Sequence, residues 1–153
     1  MLIAGDLAVA DRLVAHALHR LPGYQPTLFW GAWVDVAQGN PERARERFEL
    51  ALRINPEAGT RAYTIAGIGI ALLLQGDAVE AHAMLTEALL YIPTYPMALA
   101  AYAVAASAVG DVKGARRAAD ALKTSGGDQV IATMQSAHHR AILTAGIERA
   151  LAS

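Results

Sequence analysis

Histidine is the side chain that most readily ligates a metal or moves a proton near neutral pH, so the histidine pairs set the first question. His16 and His19 stand three apart, on one face of a helix, where two imidazoles could in principle share a metal ion. No carboxylate lies one turn from them on that face, so ordinary surface or half-buried histidines are the expectation. His138 and His139 are adjacent, so on a helix they point about 100° apart and cannot chelate one ion. Zero cysteines remove disulfides, thiolate zinc sites and cysteine nucleophiles together. The sequence has no nucleophile–base pattern, P-loop or dinucleotide fingerprint. Gly67-x-Gly69 falls inside a helical apolar pattern, where small residues permit close packing. No metal, cofactor or catalytic residue is therefore expected, and the chain is read as not an enzyme.

Charge narrows the partners. Thirteen Lys and Arg against fourteen Asp and Glu leave a net charge of −1. That is no excess with which to neutralise phosphates, so nucleic acid is not an expected partner. Glu42-Arg43-x-Arg45-Glu46-Arg47-x-Glu49 mixes both signs and reads as a solvated outer helix face, with Glu49 and Arg53 a favourable i, i+4 pair. Met1 to Ala4 meets Gly5-Asp6 at once, with no basic segment and no long apolar run, so no signal peptide is expected. A cytoplasmic location fits this and the lack of disulfides. Residues 88–110 carry no charge over 23 positions, a length that could cross a bilayer. Pro93 and Pro96 break that stretch, so it reads as two buried helices joined at a proline turn, and no membrane contact is expected.

The elements that would position any site follow from composition and period. The chain has 153 residues, 54% hydrophobic but only 6% aromatic, with 34 alanines. An alanine-rich, apolar chain is neither disordered nor all-β, and an all-α fold with close helix contacts is expected. Four turns look alike: Gly5-Asp6, Gly39-Asn40, Gly76-Asp77 and Gly110-Asp111, spaced 34, 37 and 34 apart. In each, Gly suits the left-handed residue after a helix and Asp or Asn can cap the next one. Asn40-Pro41 adds proline at the first helical position, and Asp77 with Glu80 fits a capping box. Alanines recur five residues after each Gly (Ala10, Ala44, Ala81, Ala115). Larger knobs follow at nine (Val14, Phe48, Leu85), then small residues at twelve (Ala17, Ala51, Ala88). Prolines in register stop the second helix: Pro22, Pro56 and Pro93.

These stretches, Gly39 to Pro56 and Gly76 to Pro93 above all, resemble the tetratricopeptide repeat (TPR) family, whose 34-residue unit is two antiparallel helices. Ile65, Ile68, Gly69 and Leu72 fit the first-helix pattern, and Leu99, Tyr102, Ala103 and Ala106 follow it more loosely. The resemblance implies an α-solenoid of about three and a half helical hairpins in a right-handed superhelix. Residues 1–127 form the array, with units at 1–24 (partial), 25–58, 62–95 and 96–127. Residues 128–153 are read as a C-terminal capping helix, with Val130, Ile131, Met134, Ala137, Ile142 and Ile147 on or near one side. Three extra residues, about Gly59-Thr60-Arg61, lengthen one junction. Asp35 falls where the family packs an aromatic, and a carboxylate there needs a partner; Arg12 on the preceding helix is one candidate.

In such arrays the first helix of each unit lines the concave face. Carried over by position, that gives Phe29, Trp30, Trp33 and Val36, then Tyr63, Ala66, Ile70 and Leu73, then Met97, Ala100, Val104 and Ser107. The Lys, Arg and Asn with which chaperone-binding members hold a peptide carboxylate are missing from these positions. An apolar, aromatic-rimmed groove would instead accept an apolar peptide, a helix or an adjacent domain. The alternative is that these side chains are core, or are covered by the helix at 128–152. The tract from Arg61 to Leu122 is loosely similar to the C-terminal TPR tails of bacterial class III adenylate/guanylate cyclases and winged-helix regulators. That similarity implies a regulatory, protein-binding part of a larger protein. The half unit at the start exposes Leu7, Val9, Leu13 and Leu18, so an upstream domain or a second copy is expected to cover it. A free-standing adaptor or homodimer is the other reading.

Overall fold

Three glycines sit in the left-handed region where a helix must stop and the chain reverse: Gly39 (φ 82°), Gly76 (φ 93°) and Gly110 (φ 85°). The residue after each donates its N–H back over the helix end. Asn40 bonds Asp35 O at 2.8 Å, Asp77 bonds Leu72 O at 2.9 Å and Asp111 bonds Ala106 O at 2.8 Å. Two of these residues then cap the next helix: Asp77 accepts the Glu80 N–H at 3.1 Å and Asp111 accepts the Gly114 N–H at 2.9 Å. Asn40 does not cap with its side chain; Pro41, opening the next helix, leaves fewer free N–H groups for it to satisfy.

A computed structural model of the chain describes residues 4–125 and 137–152. Among them run eight α-helices: α1 (Ala4–Arg20), α2 (Gln25–Gln38), α3 (Pro41–Ile54), α4 (Arg61–Leu74), α5 (Ala78–Tyr91), α6 (Pro96–Ala108), α7 (Val112–Thr124) and α8 (Ala137–Ala152). Gly5-Asp6 is not a turn: it stands inside the first turn of α1. Pro22, Pro56 and Pro93 each lie two residues past a helix end, where proline cannot continue the helix. Gly126 and Gly127 and the stretch at 128–136, with Val130, Ile131 and Met134, lie outside the described residues.

The helices form two layers of an all-α solenoid. Helices α2, α4 and α6 touch side by side, while α3 packs between α2 and α4, and α5 between α4 and α6. Being covered on several sides, α4 is buried without a break from Thr64 to Leu74. This explains why no charged residue follows Arg61 in it. Among the described residues no helix is long and apolar enough to cross a membrane, and the uncharged stretch at 88–110 divides between α5 and α6 at Pro93.

The large residues of the repeat find glycines to pack on. Val14 lies over Gly31, where a Cβ would come within 2.6 Å of its methyl; the Phe48 ring fills the space over Gly67; Leu85 sits 2.7 Å from where a Gly69 Cβ would stand. The Gly67-x-Gly69 pair is thus two seats, one for α3 and one for α5. The array ends on α8, which packs on α6 and α7, with Val104 pressed onto Gly146. Its buried stripe is His139, Leu143, Gly146, Ile147 and Ala150, and Ala137 is exposed rather than part of it.

Candidate interaction surface on the inner layer

Five large rings form one connected row across the layer of α2, α4 and α6, and a sixth, Phe48, backs it from α3. Trp30 meets Phe29 at 5.1 Å between centroids, Phe29 meets Trp33 at 6.4 Å, and Trp33 meets Tyr95 at 6.1 Å. Tyr95 meets Tyr63 at 5.1 Å, and Phe48 supports the ridge from α3, 5.1 Å from Trp33. Interplanar angles of 68–83° make every contact edge-to-face, the arrangement that sets a positive ring edge on a negative face. Trp30 is 64% exposed and Tyr63 38% exposed, so the ridge reaches solvent at both ends. Burial, then the neighbouring Tyr63, pushes the Tyr95 phenol up to about 12, so it stays neutral and apolar in character at physiological pH. Hydrocarbon, indole and phenol make up this ridge. It can stack, exclude water and offer a few hydrogen bonds.

The structure divides the residues expected in the groove. Trp30, Trp33 and Tyr63 come together on the ridge. Phe29 is buried beneath them, and Val36, Ile70, Leu73, Met97 and Val104 are buried in the core, as are Ala66 and Ala100. The cause is the contact of α2 with α4 and of α4 with α6, which consumes those faces; Val104 is covered by α8 as well. Tyr95 was not anticipated on the ridge. Its signal was the Tyr-Pro pair: Pro96 opens α6 and holds Tyr95 extended (φ −71°, ψ 113°), just before the helix begins.

No family model and no curated protein matches the sequence. Among solved structures, two of MamA superpose on it. One has a TM-score of 0.65 at 18% identity, covering 97% of this chain and 88% of that one; the other has 0.63 at 17%, covering 97% and 82%. The fold is a TPR-like α-solenoid.

Two polar ties brace this TPR-like array. Asp35, fully buried in the last turn of α2, is held by Arg43 Nε at 2.6 Å and Arg47 Nη1 at 2.7 Å. Both arginines belong to α3, so the candidate pairing with Arg12 is replaced by one with the following helix. The face read as solvated turns Arg47 inward, while Arg43 stays half in water and reaches the same carboxylate from the surface. Arg43 also reaches Asp11 of α1 at 3.0 Å, and Arg47 donates to Gly31 O at 3.2 Å, so the tie joins three helices. Glu49 pairs with Arg45 at 2.7 Å, the partner that replaces the expected Arg53. Burial pushes the Asp35 carboxyl above its ordinary value, against the Arg43 hydrogen bond and the two guanidinium charges. Arg43 is raised in turn, chiefly by its hydrogen bond to Asp35.

The second tie is at the α7 cap of the TPR-like array. Tyr102 OH donates to Asp111 Oδ2 at 3.1 Å, and the His82 ring stacks on Tyr102 at 5.1 Å with Nε2 3.5 Å from Asp111 Oδ2. The Gly114 N–H, then Tyr102 and His82, hold the Asp111 carboxyl below its usual range despite some desolvation. Burial followed by the Asp111 bond raises the Tyr102 phenol. Among the described residues no group of three or more His, Cys, Asp or Glu could hold a metal ion. His139 is buried beside His138, and burial followed by that neighbour lowers its pKa.

Proposed function

We propose that this chain is a non-catalytic protein-interaction module. Its aromatic ridge binds an apolar peptide, helix or adjacent domain, as the regulatory part of a larger cytoplasmic bacterial signalling or transcription protein. The observation that carries this reading is Trp30. A tryptophan 64% exposed, continuous through Phe29 and Trp33 with the core, leaves a large apolar surface in water with a rigid backing. Such anchors are where partners gain most of their binding energy. The likeness to the MamA structures supports the solenoid frame on which this ridge is laid.

Tryptophan fluorescence tests it, because Trp30 and Trp33 are the chain's two indoles. Titration with an apolar helical peptide should shift emission to the blue, and Trp30→Ala should abolish the shift while the signal of Trp33 reports an intact fold. A panel of such peptides that leaves the emission unmoved would sink the ridge as a binding surface. The larger-protein part is tested by the intact mass of the native product: a species near 16.1 kDa removes it.

A second reading, a free-standing adaptor or homodimer, is favoured by α1, where Val9 is 44% and Leu13 65% exposed. Light scattering tests the homodimer: a dimer that Leu13→Glu dissociates supports it, and a strict monomer removes dimerisation through α1, leaving only a monomeric adaptor.

A further inference from the structure

We propose that the outer layer carries a second docking site, the furrow between α5 and α7, and that its occupant is an acidic amphipathic helix of a partner protein. The furrow shares no residue with the aromatic ridge. One wall is apolar: Leu89 and Leu90 of α5, then Pro93, with Leu99 of α6 beneath, around a cleft of about 440 Å³. Leu90 is 74% exposed at its lip. The other wall is α7, where Arg117 lines the cleft. Arg117 also lines a second depression of about 410 Å³ with Lys113, Arg116 and Asp120. Arg117 therefore borders both hollows, the first mainly apolar and the second cationic.

Charge complementarity selects the occupant. The whole chain carries −1, yet α7 holds both of its lysines together with Arg116 and Arg117, against the single acid Asp120. Asp120 pairs with Lys123, and among the described residues Lys113, Arg116 and Arg117 form no ion pair. Cations left unpaired beside exposed leucines suit a ligand with leucine-like side chains along one stripe and carboxylates along its flank. The trough fits a helix in length as well, since the thirteen residues of α7 extend about 20 Å, close to four turns. A phosphodiester would find no partner on the leucine wall, which favours a protein helix over nucleic acid.

The test is selection of random helical peptides of about four turns, displayed against the full chain, followed by anisotropy titrations of the enriched sequences. The expected winners carry Leu, Ile or Phe at i, i+3 or i+4 and i+7, flanked by Asp or Glu. Their binding should fall about tenfold or more in Arg116→Glu/Arg117→Glu, and likewise in Leu90→Asp. It should stay unchanged in Trp30→Ala, which separates this site from the ridge. Lys-for-Glu peptides should regain binding to the charge-reversed chain. Lys113→Glu/Arg116→Glu is a second charge variant; all five substituted positions are exposed, and circular dichroism checks each fold. The proposal is overturned if no peptides are enriched, if the enriched ones lack acids, or if their binding survives charge reversal. It is also overturned if phosphatidylglycerol vesicles or a single-stranded oligonucleotide bind the same arginines more tightly than the peptides do.

Discussion

Asp35 and Asp111 are both aspartates at helix ends, each wired to neighbouring helices, and their environments are opposite. Asp35 lies in the last turn of α2, where the unpaired carbonyls of the helix disfavour a negative charge, and it is fully buried. It needs two arginines to be there, and burial still lifts its carboxyl above the ordinary value. Asp111 stands just before the first turn of α7, where free N–H groups favour a negative charge, and it is partly solvated. The Gly114 backbone N–H is the largest single cause holding its carboxyl down, with Tyr102 and His82 each adding less. The same side chain is thus a cost to be compensated at one end of the array and a stabilising cap at the other.

Breaking the compensation should have the largest effect. Arg47→Ala leaves a buried carboxylate short of a partner, and a loss of about 3–5 kcal/mol in urea unfolding is expected. If Asp35 is a compensated cost, replacing the whole set (Asp35→Leu with Arg43→Met and Arg47→Met) should be neutral or stabilising by about 1–4 kcal/mol. A loss as large as that of Arg47→Ala would show instead that the tie itself stabilises the array.

The opposite end offers a smaller handle. A Cβ at Gly114 would stand 2.8 Å from Tyr102 Oη and nearer still to the Asp111 carboxylate, so Gly114→Ala should cost about 1–3 kcal/mol by forcing the cap apart. The pH dependence sharpens the contrast. Asp111 has a folded pKa below 3.8, so its contribution is present above that value and lost as pH falls through the folded one. Asp35 has a folded pKa above 3.8, so its contribution is present below that value and lost as pH rises through the folded one. In acid, Asp111→Asn should therefore flatten the fall in stability, and Asp35→Asn should steepen it. The reverse pattern in denaturation midpoints between pH 5 and about 2 would overturn the assignment. Smallest of all, Tyr102→Phe should move the Asp111 carboxyl back toward its ordinary value in an NMR titration, leaving the unfolding midpoint nearly unchanged.

Much of the frame was legible because it is local chemistry. Gly39, Gly76 and Gly110 do adopt the left-handed conformation, and Asp77 and Asp111 do cap. The charged face of α3 does stay largely in water, but alternating charge looks the same whether it meets water or a buried acid. Arg43 and Arg47 were already spaced one turn apart, but only the position of Asp35 on the neighbouring helix turns that spacing into a clamp. Exposure was legible only in part: of the residues expected to line a groove, Trp30 and Tyr63 are exposed and Trp33 half-buried, while Ile70, Leu73 and Val104 are buried, since a helical period cannot tell which neighbour covers which face.

By itself, then, the sequence determined the helix ends marked by Gly39, Gly76 and Gly110 and by Pro22, Pro56 and Pro93, that small residues recur where helices cross, and the all-α class. Those depend on backbone torsions, caps and side-chain size within a few residues. Tertiary structure decided which apolar side chains remain in water, which arginines face inward, and that Tyr95 closes the ridge between Trp33 and Tyr63. Exposure and pairing are properties of two or three helices at once, and they arise only when burial of one face against another sets the distance between groups far apart in the chain.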